Sequence, residues 1–290
     1  MRKRARNGEI NIFQRIVNAF EGIGFRVEYV NSTEAERAKS VARRGYSLFY
    51  MDHPFHKRAL TLRKAYFFPY WRIERSAKRW EWDISKSEFD AGTVDPDDAK
   101  NFSDYWRGYL FKDRVQRDPN GMVYIPLQGR LTEHRSFQTQ SPMDMVRTVL
   151  LHDRRRDIVL GLHPGETYLP EEIEALRNLV DKEPRLTLSS EPATTLLQRC
   201  DYTVTQNSSV ALMGFFIHKP TVLFAKIDFH HIAANVEHLG ARAAIAAAPR
   251  MRPDFDAYMH WFLKQTAIHA RQPNTESRIL NEVRKRGWEI

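Results

Sequence analysis

Three polar clusters in this chain hold side chains that can move a proton or grip an anion. His163-Pro164-Gly165-Glu166 closes the apolar run 157–162, and Gln206-Asn207-Ser208-Ser209 closes the run 201–205. The second cluster opens a helical pattern carrying Val210, Leu212, Met213, Phe215 and Phe216. Free backbone N–H groups, hydroxyls and the positive end of a helix dipole would meet a phosphate there. Ordinary helix caps satisfy the same pattern, since Ser and Asn are favoured caps everywhere, and His163 has the plainer reading of a loop histidine. The third cluster, Asp52-His53-Pro54-Phe55-His56, ends the strand-like run 45–51. His53 or His56 there is placed either to act as acid, base or acceptor contact or to form a surface turn. The cluster lacks cysteine and a second histidine pair at ligand spacing, so no metal site is expected. The single cysteine, Cys200, between Arg199 and Asp201, reads as a small buried filler rather than a nucleophile.

The elements that must position these clusters follow from periodicity. Between residues 157 and 224, short β-branched runs alternate with helical patterns: strands near 157–162, 185–189, 201–205 and 219–224, and helices from Pro170, Pro192 and Asn207. Such alternation predicts a parallel sheet, whose ligands bind outside the carboxyl ends of the strands. Both the His163 and the Gln206 clusters fall at that edge. A strand at 121–127 and a helix capped by Ser141 with Pro142 at its first position complete the unit.

Val123-Tyr124-Ile125-Pro126-Leu127-Gln128, Gly161-Leu162-His163-Pro164, Thr205-Gln206-Asn207-Ser208-Ser209-Val210 and His218-Lys219-Pro220, in that order and spacing, resemble the capsule polysaccharide biosynthesis family, which includes the retaining Kdo transferases. The likeness covers about residues 121–232. It implies a GT-B-like α/β fold with two Rossmann-like domains and parallel sheets, the N-terminal one abbreviated here. It also implies a CMP-activated sugar donor held mainly by the second domain, with no separate cofactor. By the resemblance, Gln128, His163, Pro164, Glu166, Gln206, Asn207, Ser208 and Ser209 would hold that donor, and His163 and the Ser208-Ser209 helix start would face its phosphate. Two positions depart from the pattern. Where the family carries a carboxylate after Pro-Leu-Gln, this chain reads Thr132-Glu133-His134-Arg135-Ser136, so either Glu133 has taken that role or the carboxylate is absent, and Met213 stands near the point where many members place a ribose-binding Glu. Retaining transfer by double displacement needs a carboxylate beside the anomeric carbon, so Glu133 is the candidate catalytic residue, with His53 as a second. Glu166 is placed to orient His163.

A chain of 290 residues with 42% hydrophobic content can bury one large core or two modest ones. No run reaches the apolar length of a membrane span, and no apolar segment follows the basic start, Met1-Arg2-Lys3-Arg4-Ala5-Arg6, as it would in a signal peptide. With one cysteine no intramolecular disulfide is open to it, and a cytoplasmic location, peripheral at the inner membrane face, is expected. The net charge of +9 comes from residues 1–82, which hold 18 Lys or Arg against 8 Asp or Glu. Such a surface attracts an anionic glycan, a phospholipid leaflet or nucleic acid.

In the N-terminal part, apolar residues from Ile12 to Phe20 have helical spacing, 25–30 alternates like a strand, Asn31 begins a capped helix and 45–51 is a second strand. Residues 62–82 interleave Tyr66, Phe67, Phe68, Tyr70, Trp71, Trp80 and Trp82 with six cations. Sugar rings, single-stranded nucleic acid or a membrane interface would suit that mixture, as would a core element with a solvated basic face. No RNA-binding strand motif accompanies it, so nucleic acid is the minor reading. Residues 106–117 read as a helix leading to the turn at Asp118-Pro119-Asn120-Gly121, residues 228–232 as a loop over the site, 253–270 as one helix and 275–288 as a charged one. The expected domains are 1–120 on the acceptor side, 121–252 for the nucleotide sugar, and helices 253–290 crossing back. The leading function is a glycosyltransferase of capsule or surface polysaccharide that passes a sugar, Kdo by the resemblance, from a CMP donor to a glycan or glycolipid acceptor. The alternatives are a non-catalytic glycan- or nucleotide-binding scaffold of the same fold and, behind it, a basic nucleic-acid-binding protein.

Overall fold

A computed structural model describes residues 11–112 and 121–290. The basic start and most of the expected boundary turn at 118–121 lie outside the described residues. The chain forms two compact units, Met1–Ser87 with Phe262–Ile290, and Glu88–Trp261.

The second unit holds the six-stranded sheet that the alternating pattern requires. Its strands are β4 (Met122–Leu127), β5 (Asp157–Leu162), β6 (Leu186–Ser189), β7 (Tyr202–Thr205), β8 (Thr221–Leu223) and β9 (Ala234–Asn235). They run in the order β6-β5-β4-β7-β8-β9, every pair parallel. β4 is buried along its whole length, as a strand covered on both faces must be. Helix Pro142–His152 begins as its sequence dictates, with Ser141 Oγ accepting from Asp144 N at 3.1 Å, and buries Met145, Val146 and Val149 in the core with Val123, Ile125, Ile158 and Leu160. The helix expected at 106–117 starts earlier, at Pro96, with Asp95 as its cap, and is described to Phe111. It belongs with this unit because Trp106 stacks on Phe216 at 5.8 Å and Arg107 Nε donates to the Phe216 carbonyl at 2.8 Å. The compact units divide at Ser87/Glu88 and again at Trp261/Phe262.

The first unit departs further from expectation. Its sheet is mixed, not parallel, in the order β1-β2-β3-β10. β1 (Ser47–Tyr50) pairs parallel with β2 (Ala59–Lys64), while β3 (Tyr70–Glu74) and β10 (Ile268–His269) are antiparallel to their neighbours. The helices Asn11–Glu21 and Thr275–Lys285 cover it with Ile12, Ile16, Phe20, Ile279 and Val283. The basic aromatic stretch 62–82 is thus mainly the β2–β3 hairpin and the turn after it. Several of its rings are used internally, though Phe68 is exposed: Trp71 and Trp82 are fully buried, and Arg79 lies 4.1 Å from the Tyr66 ring and 4.6 Å from that of Trp82. Cation–π pairing places Arg79 against those rings and buried Arg72 against Phe262. Residues 25–30 join neither a helix nor a sheet. The expected helix 253–270 breaks into Phe255–Met259, a π-helical stretch at His260–Gln265, and β10. Arg286 is buried against Glu74 at 3.0 Å, where burial pushes the carboxyl of Glu74 up and Arg286 pulls it back.

Candidate functional site at the carboxyl edge of the parallel sheet

The site is assembled from loops that leave the carboxyl ends of β4, β5, β7 and β8. After β4 comes Gly129, against which Glu166 is lodged: a Cβ there would lie 2.8 Å from Glu166 Oε2, so the carboxylate would have to move aside. That contact brings the loop after β4 against the loop after β5. Tyr168 fastens the same two loops, its hydroxyl accepting from His163 N at 2.8 Å and donating to the Leu127 carbonyl at 3.4 Å. His163 is exposed, and its Nδ1 accepts from Gly165 N at 3.0 Å. The proton of the neutral ring therefore sits on Nε2, which becomes a donor available to an anion.

From Gly129 the loop bends through Arg130, whose φ of 63° is unusual for a residue with a Cβ. It then arches over the end of β7 to that of β8. Gln206 Nε2 holds the arch at the Gln140 carbonyl (3.0 Å), and Thr139 N and Lys226 N tie it to Phe224 O and Phe137 O at 2.8 Å each. Beneath and along it, four buried polar atoms have no hydrogen-bond partner: Gln128 Oε1, Gln206 Oε1, Gln138 Nε2 and Arg135 Nε. Leaving such atoms unpaired costs about 1–3 kcal/mol each, so their concentration at one edge marks a place prepared for a polar ligand. Gln206 is the clearest case, because the residue is 3% exposed and its amide is already oriented by Gln140.

The carboxylates surround one cation. Burial and the nearby Arg130 weaken the basicity of Arg135, while Glu133 and Glu166 act on it in the opposite sense. Glu133 is exposed and meets Arg130 Nη1 through both oxygens at 3.1 Å. Ser208 turns inward, its Oγ accepting from Val210 N and its own N donating to Thr205 Oγ1, both at 3.3 Å. It serves as a cap, while Asn207 is half-buried and Ser209 exposed with no capping bond from its side chain. The helix behind them, Val210–Phe215, has only six residues, which limits its dipole. Met213 packs against the cluster formed by Leu196, Leu197 and Ile217. Cys200 is fully buried and its thiol is pushed up to about 12 by burial, which suits the filler reading.

His53 lies in the first unit, exposed, with Nδ1 accepting from Ala77 N at 3.1 Å. His56 is half-buried, 2.9 Å from Ser40 Oγ, and burial, then Arg58, push its imidazole down. Among the described residues no three His, Cys, Asp or Glu side chains gather as metal ligands. No helix among them is long and apolar enough to cross a membrane. Sequence reasoning missed Arg135, Gln138, Gln140 and Tyr168. A signal existed for Tyr168, the one aromatic in the loop that closes β5.

No family profile and no curated protein matches the chain. Among solved structures it is similar to the beta Kdo 2,7 transferase KpsC of Thermosulfurimonas dismutans, with 13% identity and a TM-score of 0.55 over 92% of this chain and 96% of that one. The beta Kdo 2,4 transferase KpsC of the same organism matches at 13% identity over 69% and 70%, TM-score 0.40. The wall teichoic acid polymerase TagF matches at 12% identity over 66% and 51%, TM-score 0.32. The first similarity shows the fold: an α/β chain of GT-B type, as the motif resemblance implied.

Proposed function

We propose that this chain is a glycosyltransferase of surface-polysaccharide synthesis, taking a sugar, Kdo as the leading choice, from a CMP-activated donor to a glycan or glycolipid acceptor. The observation that carries the reading is the likeness in fold to a Kdo transferase over nearly the whole of both chains. The motif resemblance from residue 121 to 232 and the open polar edge support it independently. His163 Nε2–H contacts the donor phosphate, and Gln206 Oε1 and Gln128 Oε1 accept from hydroxyl or amine groups of the nucleotide sugar, with Asn207 beside them. Exposed Ser209 adds a hydroxyl, and Glu133 is the carboxylate beside the anomeric carbon. Glu166, lodged against Gly129, sets the loop that presents His163. When the sugar arrives, Arg130 must release Glu133, and Arg135 then holds charge near both carboxylates.

The Arg130–Glu133 ion pair favours a second reading, a scaffold that binds nucleotide without turnover, because a nucleophile engaged through both oxygens is not free to attack. Incubation with CMP-Kdo and an acceptor glycan separates the two. CMP release that depends on acceptor is the result expected of the transferase. Binding of CMP without release supports the scaffold, and failure of both removes the donor assignment. The charge excess of residues 1–82 remains available to an anionic acceptor or the headgroups of an inner leaflet at the cytoplasmic face.

A further inference from the structure

In the first unit, residues 26–32 run beside β1 without joining it. Side chains fix the alignment: the Phe25 ring lies 6.3 Å from that of Tyr46, Phe13 bridges Tyr29 (6.2 Å) and Tyr50 (5.4 Å), and Ser32 bonds Asp52. The two stretches therefore run in the same direction, and a cavity of about 690 Å³ is lined by both. β1 uses Ser47 N and Met51 N toward β2, bonding Arg58 O at 2.9 Å and Leu62 O at 3.0 Å. Alternation along a parallel ladder then turns the N–H and C=O of Leu48 and Tyr50 toward the cavity. Across from them, the backbone groups of 26–32 bond no other backbone group among the described residues. The cavity thus presents donors and acceptors on two sides, with the half-buried rings of Tyr29, Tyr46 and Tyr50 in its walls.

The lining also holds Arg26 and Arg43 with Glu28 and Glu36, which pair with each other as Arg26–Glu28 and Arg43–Glu36, so Arg37 sets the charge preference. Its guanidinium is held 5.7 Å from the ring centres of both Phe49 and Phe55, it reaches Asp52 only at 3.7 Å, and its buried Nε–H has no partner. A planar fork fixed in this way is suited to a carboxylate or phosphate.

We propose that this groove binds an anionic saccharide: hydroxyls pair with the open backbone groups of Leu48 and Tyr50, a ring lies against the tyrosines, and an acidic substituent meets Arg37. The inference rests on the proposed glycan-handling role and extends it to a site in the first unit. A saccharide fits better than an added peptide strand, because β1 is four residues long and offers an incoming strand only two outward-facing residues, and short edges are poor templates for pairing. The volume lies within the range of small-molecule sites.

The test titrates the full chain with trisialic acid, with mannose 6-phosphate, with neutral maltotriose and with an extended threonine–valine hexapeptide, following the amide resonances of Leu48 and Tyr50. The expected result is binding of one or both anionic sugars with shifts at those two amides, at least about tenfold tighter than maltotriose. The tighter of the two identifies the acidic group. Arg37→Gln lowers that affinity about tenfold, the loss of one charge-assisted contact. Gly45→Phe, at a position lining the groove where a Cβ meets nothing within 4 Å, fills it and does the same. Circular dichroism reports whether each variant folds, and Arg37→Gln alone decides if Gly45→Phe does not. The proposal is overturned if no anionic sugar binds, if neither substitution changes the affinity, if the hexapeptide shifts Leu48 and Tyr50 in preference to the sugars, or if those amides are already protected from exchange in the free protein. CMP affinity, read separately in the second unit, stays unchanged in both variants. The failure of the donor assignment and the failure of the groove are therefore distinct results.

Discussion

The two ends of the parallel sheet treat polar groups in opposite ways. At the amino end everything is closed. Asp153 accepts from Tyr202 Oη at 2.8 Å, from Arg156 Nη1 at 3.0 Å and from the backbone N of Arg155 and Arg156 at 3.1 and 3.2 Å. Arg156 also reaches Asp201, Arg185 bonds the carbonyls of Leu150 and Asp153, and buried Lys219 bonds the Gln198 carbonyl at 3.0 Å. At the carboxyl end, Gln128, Gln138, Gln206 and Arg135 each keep a buried atom unpaired. Both ends are built from loops of the same sheet, so sheet geometry does not explain the difference. Closed networks hold strands in register, whereas open groups cost stability and are tolerated where a ligand completes them.

The sharpest way to break this contrast is to remove the carboxylate assigned to chemistry. Glu133→Gln should lower turnover by about a thousandfold or more while CMP affinity stays within about threefold, because a group needed in the transition state is lost and ground-state contacts are kept. Normal turnover in that variant would end the assignment. At the closed edge, Asp153→Ala should cost about 2 kcal/mol in denaturant unfolding, since it leaves the buried Tyr202 hydroxyl without its acceptor and Arg156 with Asp201 alone, and should leave nucleotide binding unaltered. The same network has a pH signature. Burial pushes the Asp153 carboxyl up, but bonds from Tyr202, Arg155 and Arg156 outweigh it and hold it below its usual range. Its contribution is therefore present above the unfolded value and is lost as pH falls below about 4. A wild-type chain whose acid unfolding matches that of Asp153→Asn would contradict this. The smallest effect belongs to Gln206→Leu. It gives up one bond to Gln140 and relieves one orphan oxygen, so thermal unfolding should register a change under about 1 kcal/mol.

Much of the second unit was legible before any coordinates. Its strands are short β-branched runs, its helices begin at Ser141-Pro142 and Pro170, and both signals are local. That His163, Glu166 and Gln206 follow strand ends was legible because strand ends are readable. The arch from Gly129 to Thr139 was not, because what holds it, Gln206 to Gln140 and Lys226 to Phe137, is contact between distant segments. Ser208 shows the limit from the other side: residue type allowed both a cap and a phosphate ligand, and only the bonds to Val210 and Thr205 reveal the cap. In the first unit, the apolar residues from Tyr70 through Trp80 have near-helical intervals but lie in and beyond an antiparallel hairpin. Alternation at 25–30 promised a strand, and pairing, which depends on the neighbour, does not occur.

Calorimetric titration of CMP into the wild-type chain, a His163→Ala, Gln206→Leu double variant and the closed-edge variant Asp201→Asn tests the central claim most directly. The account predicts binding to the wild type, a loss of at least about tenfold in the double variant from two missing contacts, and unchanged affinity in Asp201→Asn. If CMP and CDP both fail to bind the wild type, or if CMP binds the double variant as well as the wild type, the open edge of the sheet is not the nucleotide site.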